Sequence, residues 1–229
     1  DAFVYHNYAI GDQPGSVRLG KQVVSWGEST FIRNSINEIN PVDVSAFRRP
    51  GAEIKEGLIP VNMFYVSQSL TENLSAEAFY QLEWDQTVTD NCGTFFAQPD
   101  IIADGCNDNL RVLAPRRALS AGALTALSSF GVDVNNEGAL VRRTGDRDAR
   151  DSGQFGAALR YFSPALDTEF GAYFMNYHSR TPVFSAAAAS QARYTAINTS
   201  LPNVPALGAN NPANLRPVAV AGSSTYFLE

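Results

Sequence analysis

VNMFYVSQSLTENLSAEAFYQLEWDQ, running from Val61 to Gln86, is the stretch that decides how this chain folds. Its second half alternates. Ala76, Ala78, Tyr80, Leu82 and Trp84 fall on one face, and Ser75, Glu77, Phe79, Gln81 and Glu83 on the other, which is the period-two pattern of a strand. About ten residues is also the length of a tilted membrane strand. The turn Thr71-Glu72-Asn73 joins this strand to a preceding alternating run, so the whole segment reads as a hairpin. Facing the first set toward lipid puts Trp84 near an interface, where amphipathic rings sit. The second set then lines a lumen.

Two further hairpins follow the same plan. Ala2 to Glu28 turns at Gly11-Asp12-Gln13-Pro14-Gly15, and Gln154 to Ser179 turns at Pro164-Ala165-Leu166-Asp167. In the latter, Phe155, Ala157, Leu159 and Tyr161 oppose Gln154, Gly156, Ala158 and Arg160, which sends Arg160 inward. The return strand, Glu169 to Arg180, carries large apolar side chains on both faces, and we orient Tyr173, Met175 and Tyr177 outward. Between the hairpins lie the long connections 29–60, 87–152 and 180–221. Long loops on one side and tight turns on the other are how transmembrane barrels are strung, with the short turns facing the periplasm. An antiparallel sheet on a soluble core produces the same alternation but has no reason to sort its loops by length. The expected fold is all-β, an antiparallel transmembrane β-barrel. The chain supplies a partial barrel of about seven strands with a short helical plug.

Composition is compatible with this and excludes alternatives. The 229 residues are 45% hydrophobic with a formal charge of -6, and no run approaches the eighteen or so apolar residues that a helical span needs. A mean hydropathy of -0.15 fits a barrel, whose lipid-facing residues are only every second one, as well as it fits a soluble protein. The acidic balance, with a pI near 5.0, argues against nucleic acid as a partner, because phosphate recognition needs a basic face. Both ends read as cut. The chain opens on Asp1-Ala2-Phe3-Val4-Tyr5 without a leader and closes on Ser224-Thr225-Tyr226-Phe227-Leu228-Glu229 inside an apparent strand. The expectation is a single barrel domain, 1–229, that is an internal piece of a longer protein.

Cys92 and Cys106 share one long loop and are flanked by Asp90, Asn91, Gly93, Gly105, Asn107 and Asp108. These are turn residues, so the pair reads as a disulfide closing a surface loop in an oxidising compartment, with two separate buried thiols as the alternative. The connection 29–60 differs from an ordinary loop. It mixes Ile36, Ile39, Val42, Val44, Phe47, Leu58 and Ile59 with prolines at 41, 50 and 60, and such a segment buries itself. Short helices fit Ser29 to Glu38, capped by Ser29, and Pro41 to Phe47, while the prolines prevent one long helix. In a barrel the burial site is the lumen, which makes 29–60 a plug or constriction. The alternative is an extracellular loop packed on its neighbours. The other two connections are expected outside. Thr144 to Asp151 reads as a solvated charge run whose aspartates also suit divalent cations near lipopolysaccharide, and the Ala-rich run in Ser185 to Ser200 suits a short helix.

Four phrases carry a resemblance: RLGKQVVSWGEST (Arg18 to Thr30), INPVDVSAFRRPGAEIKEGLIPV (Ile39 to Val61), YFMNYHSRTPVFS (Tyr173 to Ser185) and the terminal STYFLE. They resemble the domain-of-unknown-function 1302 family, Gram-negative proteins of the bacterial outer membrane, frequent in pseudomonads and typically far longer than this chain. The resemblance spans almost the whole chain. It implies a β-barrel encoded beside a periplasmic or lipoprotein partner and an RND-type permease, and hence envelope transport of hydrophobic or lipidic compounds. It brings no catalytic residues.

Three function classes follow. The first is a passive transport barrel whose lining sets selectivity. Its candidate constriction residues are Arg48, Arg49, Glu53, Lys55 and Glu56, with Glu77, Gln81, Glu83 and Arg160 on the wall. The plug charges serve equally well as mutual salt bridges that anchor it. The second is a non-conducting docking component of a trans-envelope assembly. The third, an enzyme, fares poorly. His6 and His178 are the only histidines, and neither has a nucleophile-elbow sequence nearby or belongs to a spaced ligand cluster. Glu77 and Glu83 share a face but lie roughly 20 Å apart along a strand, against about 10 Å at most for paired glycosidase carboxylates. No catalytic site, metal or cofactor is expected. The expected surroundings are outer-membrane lipid and lipopolysaccharide, with a hydrophobic small molecule as solute.

Overall fold

The structure is a computed structural model and describes residues 1–27, 35–112, 121–135, 138–201 and 215–229. In chain order these form β1 (Ala2–Ile10), β2 (Gln13–Gln22), β3 (Val61–Thr71), β4 (Leu74–Gln81), β5 (Arg111–Val112), α1 (Ala121–Ser129), β6 (Asp133–Asn135), β7 (Gly138–Leu140), β8 (Arg142–Arg143), β9 (Phe155–Ser163), β10 (Thr168–Asn176), β11 (Phe184–Ala187), α2 (Gln191–Ser200), α3 (Arg216–Gly222) and β12 (Thr225–Leu228). The chain is mostly β-sheet with few helices, and no described helix is long and apolar enough to cross a membrane. It divides into two compact units, residues 1–89 with 149–182, and residues 90–148 with 183–229.

The first unit is built on a six-stranded antiparallel meander in the order β1-β2-β3-β4-β9-β10. Three short turns make it. Gly11-Asp12 closes β1 on β2, with Gly11 at φ 62°, a value a tight hairpin turn takes from glycine without strain. Glu72-Asn73 closes β3 on β4, and Pro164 to Asp167 closes β9 on β10. The first two turns are tighter than the sequence suggests because Gln13 and Thr71 already pair within the ladder. Because Gly15 pairs with Gln68 and Leu74 with Tyr161, all three turns lie at the same end of the sheet. The long connections leave from the other end. Among the described residues the sheet is open, with β1 and β10 each paired on one side only.

The two faces of this sheet are sorted by chemistry in an unusual sense. One carries Val4, Leu19, Phe64, Val66, Ala78, Tyr80, Phe155, Ala157, Leu159 and Phe174, and most of these side chains are exposed. The opposite face carries Gln22, Val61, Met63, Tyr65, Glu77, Phe79, Gln81, Ala158 and Arg160, which are buried or half-buried, whereas Tyr5 and Tyr173 on the same face, in the two outer strands, stay exposed. The contrast is sharpest between neighbours in β4, where Phe79 is 4% exposed and Tyr80 is 40%. Gly156 serves the covered face: a Cβ there would stand 2.7 Å from the Phe79 ring, so only glycine leaves room for that side chain.

The cover comes from the chain itself. Val24, Trp26 and Ile39 pack with Val61, Met63, Tyr65, Phe79 and Ala158 as one core, with Ile36 and Met175 against it. Segment 35–60 lies over this core as three 3₁₀ turns (Ile36–Ile39, Ala46–Arg48, Ile54–Gly57) and an isolated antiparallel bridge between Val42 and Leu58. The helix expected over Pro41 to Phe47 is therefore replaced by bridge and turn. Val42 is held by Leu58, and the Asp43 carboxylate caps Ser45 and Ala46. The Ser29 cap and residues 29–34 lie outside the described residues.

The orientation of β10 is a correction. Register pairs Tyr173 with Ala158 and Met175 with Gly156, so both side chains sit on the covered face, and Phe170, Ala172 and Phe174 face out. The turn decides it. Ser163 pairs with Thr168 across Pro164 to Asp167, so the clear alternation of β9 fixes a strand whose own faces are equally apolar.

The second unit has its own core of Leu127, Val132, Ala139, Ile197, Leu201, Leu215 and Ala219. It contains most of the segments 87–152 and 180–221, which the sequence presents as loops. Two three-stranded sheets, β5-β7-β6 and β11-β12-β8, accompany the helices. The terminal strand thus belongs here, pairing with β11 and, in parallel, with β8, so the meander has six strands rather than about seven. Tyr226 explains this placement: it is fully buried, with its hydroxyl donating to the carbonyls of Ile101 and Cys106. In the Ala-rich segment the helix begins later than the alanines. Ala186 and Ala187 extend β11, and Ser190 caps α2 by accepting from the Arg193 N–H. Cys92 and Cys106 form a disulfide with Cα atoms 6.0 Å apart.

Candidate functional site

The covered face gathers charge around Glu77. Period two places Tyr65, Glu77, Arg160 and Tyr173 on that face from four different strands. The Glu77 carboxylate accepts from the Tyr65 hydroxyl, the Trp26 indole N–H and the Arg160 guanidinium, each at 2.8 Å. It is the acceptor for three donors, so its charge is committed. Arg160 also reaches the Tyr173 hydroxyl and the Trp26 carbonyl, both at 3.5 Å. The Trp26 ring sits between Phe79 at 5.2 Å and Tyr173 at 5.8 Å. Beside this group the Arg18 guanidinium lies 4.2 Å from the centroid of Tyr65, a cation–π contact. A cleft of about 310 Å³ opens at the turn end of the sheet, lined by Ser69, Ser75, Arg160, Phe162 and Glu169 among others.

A second cluster holds the cover in place at the loop end. Arg180 is 1% exposed and donates to the carbonyls of Glu38 and Asp85 at 2.9 Å each, of Ile39 at 3.1 Å, and to the Gln81 side chain. Gln81 in turn donates to the Ile39 carbonyl. Asn40, also buried, accepts from the Val24 N–H and donates to the carbonyls of Gln22 and Ile59. Burial pushes the Glu38 carboxyl above its ordinary value against the opposing pull of Arg180. Asp85 is also raised, by burial first and then by neighbouring Glu83. Glu83 is held below its ordinary value: burial raises it, but Lys21 and Asn62 outweigh that effect. Lys21 meets Glu83 at 3.0 Å.

Of the residues singled out from sequence, Glu77 and Arg160 come together, Gln81 joins the Arg180 cluster, and Glu83 pairs with Lys21 and Asn62. Arg48, Arg49, Glu53, Lys55 and Glu56 are exposed on the covering segment, with Lys55 and Glu53 paired at 2.6 Å. They do not join the wall residues. Trp26, Arg18, Tyr65 and Arg180 escaped the sequence reading. Period two carried through β2 and β3 puts Arg18 and Tyr65 on the face of Glu77, so that signal was present. Arg180 lies beyond the end of β10, where nothing local marks its burial. Among the described residues, no group of three or more His, Cys, Asp or Glu side chains is placed to hold a metal ion.

A family model described as "Protein of unknown function (DUF1302)" matches residues 1–228. The chain belongs to that family. The match takes in both units of this DUF1302 chain, the sheet with its cover and the disulfide-bearing unit. No curated protein and no solved structure matches it.

Proposed function

We propose that the six-stranded meander of this DUF1302 chain is part of the wall of a bacterial outer-membrane β-barrel that passes hydrophobic or lipidic compounds, with segment 35–60 as its plug. One observation carries the reading. The sheet leaves one almost wholly apolar face exposed, while the face it covers carries the charged Glu77 and Arg160 beside an apolar core; a sheet on a soluble core has no reason to leave such an apolar face outside. In a bilayer this is the stable arrangement, because the apolar face meets hydrocarbon and the charged one meets the lumen. Strands of 8 to 11 residues and short turns confined to one end support it. In this reading the protein is not an enzyme. Lipopolysaccharide is its neighbour on the outer side, and a periplasmic or lipoprotein partner and an RND-type permease hand solute across the envelope.

The Arg180 anchor favours one second reading, a sealed barrel that docks a trans-envelope complex without conducting. The experiment is uptake of a fluorescent lipid, and of small sugars by swelling, into liposomes containing the full protein. Conduction is expected, and an impermeable but correctly inserted protein selects the docking reading. A protein that stays soluble and monomeric without detergent overturns both.

A further inference from the structure

We infer that the Glu77 face of the sheet holds, toward its β1 edge, an oxyanion-binding subsite built from the half-buried Arg18, Ser16 and Ser67 and the exposed Asn7. The inference rests on the reading of that face as a lumen wall. Asn7 pairs with Ser16 and Ser16 with Ser67, so three polar side chains stand in one row across β1, β2 and β3. Directly opposite positions bring Cβ atoms to about 5 Å, close enough for three groups to share one ligand. Arg18 occupies the next position along the same face of β2. It is held by the Tyr65 ring at 4.2 Å and approached by the Phe3 ring at 5.8 Å.

The bonding state of these groups gives them a ligand. Among the described residues no carboxylate lies within ion-pair distance of Arg18, and the side chains of Asn7, Ser16 and Ser67 hold no hydrogen bond. By contrast, the neighbouring Arg160 is neutralised by Glu77, and Glu77 is saturated by three donors. Arg160 thus has carboxylates beside it, Glu77 and Glu169, while Arg18 has none within ion-pair distance among the described residues. Tyr65 takes one contact from the guanidinium, and the fork that recognises carboxylate or phosphate keeps further N–H donors of its five. Two hydroxyls and an amide supply further donors. The shared chemistry is an oxyanion with several acceptor oxygens. It comes either as the head of an amphiphile or as a small free anion.

The test is titration calorimetry of the full protein in a neutral maltoside detergent, using dodecyl phosphate, inorganic phosphate and dodecanol as separate probes. Dodecyl phosphate is expected to bind, and Arg18→Gln to weaken it about tenfold or more, while Arg18→Lys retains part of the affinity. Binding of inorganic phosphate with the same Arg18 dependence assigns the site to a free anion, and its absence assigns it to an amphiphile head. Either result upholds the subsite. Wild-type affinity for dodecyl phosphate in a folded Arg18→Gln protein overturns it, as does equal binding of dodecanol and dodecyl phosphate. Arg18-dependent binding by a protein that conducts nothing separates failure of the transport reading from failure of this one.

Discussion

Arg160 on β9 donates to Glu77 on β4 at 2.8 Å, joining residues 83 positions apart across neighbouring strands. Both are largely shielded, with 27% and 15% of their side chains exposed, so the pair ties the sheet to Trp26 as much as it balances charge. Glu77→Leu leaves an unpaired guanidinium, an indole N–H and a phenol without an acceptor, and is expected to destabilise the protein by about 3 kcal/mol. Glu77→Leu combined with Arg160→Met should recover part of that loss, because no buried charge then lacks its partner. Urea unfolding followed by Trp fluorescence measures both. A double variant no better than the single one would refute the coupling.

Arg180 is the anchor of the covering segment. Lysine keeps its charge but not its planar fork, and cannot serve the Glu38, Ile39 and Asp85 carbonyls together with Gln81. Arg180→Lys should therefore speed hydrogen exchange across 36–59 by about tenfold or more while leaving the amides of β9 protected. Uniform acceleration over the whole sheet would mean that Arg180 supports the fold generally and does not act as a local latch.

How much of this was legible beforehand depends on local contrast. Ala76, Ala78 and Tyr80 against Glu77, Phe79 and Gln81 differ strongly in polarity, and their faces were readable from β4 alone. In β10 both sets are apolar, so period two carried no information and only the register with Ala158 orients Tyr173. The Cys92–Cys106 pairing was legible from its turn-forming flanks. The second unit was not. Its strands have two to four residues, too short to show a period, and its core joins Leu127 to Ile197 and Ala219 from distant segments. Arg180 illustrates the same limit, since its partners come from 38–39, 81 and 85 and no window of sequence contains them.

Acid should destabilise the second unit through Asp146. Burial raises its carboxyl, but the Arg143 guanidinium and the Leu228 N–H outweigh this and hold it below its ordinary value. A depressed folded pKa contributes stability that is complete above the unfolded value, about 3.9, and is lost as pH falls through the lower folded value. Glu38 in the first unit has the opposite sign. Its raised pKa imposes a penalty that is absent at low pH and grows as pH rises from about 4.3 through the folded value. Asp146→Asn should therefore flatten the acid limb of unfolding for the second unit, and Glu38→Gln should stabilise the first unit most at neutral pH. Hydrogen exchange at a series of pH values resolves the two units separately. An Asp146→Asn profile identical to wild type below pH 4 would remove Asp146 from the account.

Reduction of the disulfide is expected to act on the second unit, which holds both cysteines. Cys92 and Cys106 close a loop with a sequence separation of 14, and the Cys106 carbonyl accepts from the buried Tyr226 hydroxyl. Opening the loop releases chain entropy worth on the order of 3 kcal/mol. The expected outcome is loss of protection around Tyr226 on reduction, with Trp26 fluorescence unchanged, since Trp26 lies in the first unit. A shift in Trp26 emission on reduction would contradict this expectation.

The two faces of the sheet make the sharpest prediction, because adjacent residues of β10 must answer oppositely. Phe174 is 62% exposed on the apolar face, and Tyr173 lies against Trp26 on the other. A fluorophore attached at Phe174→Cys should be quenched by brominated lipid, and one at Tyr173→Cys should not. On the same apolar face, Leu159→Arg should cost about 2–4 kcal/mol in a bilayer, because a guanidinium near the membrane midplane loses its hydration. In a soluble sheet the same exposed position would accept arginine within about 0.5 kcal/mol. Folding of the Leu159→Arg protein into phosphatidylcholine vesicles, measured against wild type, separates these cases. Near-zero cost together with equal quenching at positions 173 and 174 would rule out a lipid-facing wall and leave the exposed apolar face needing a protein partner instead.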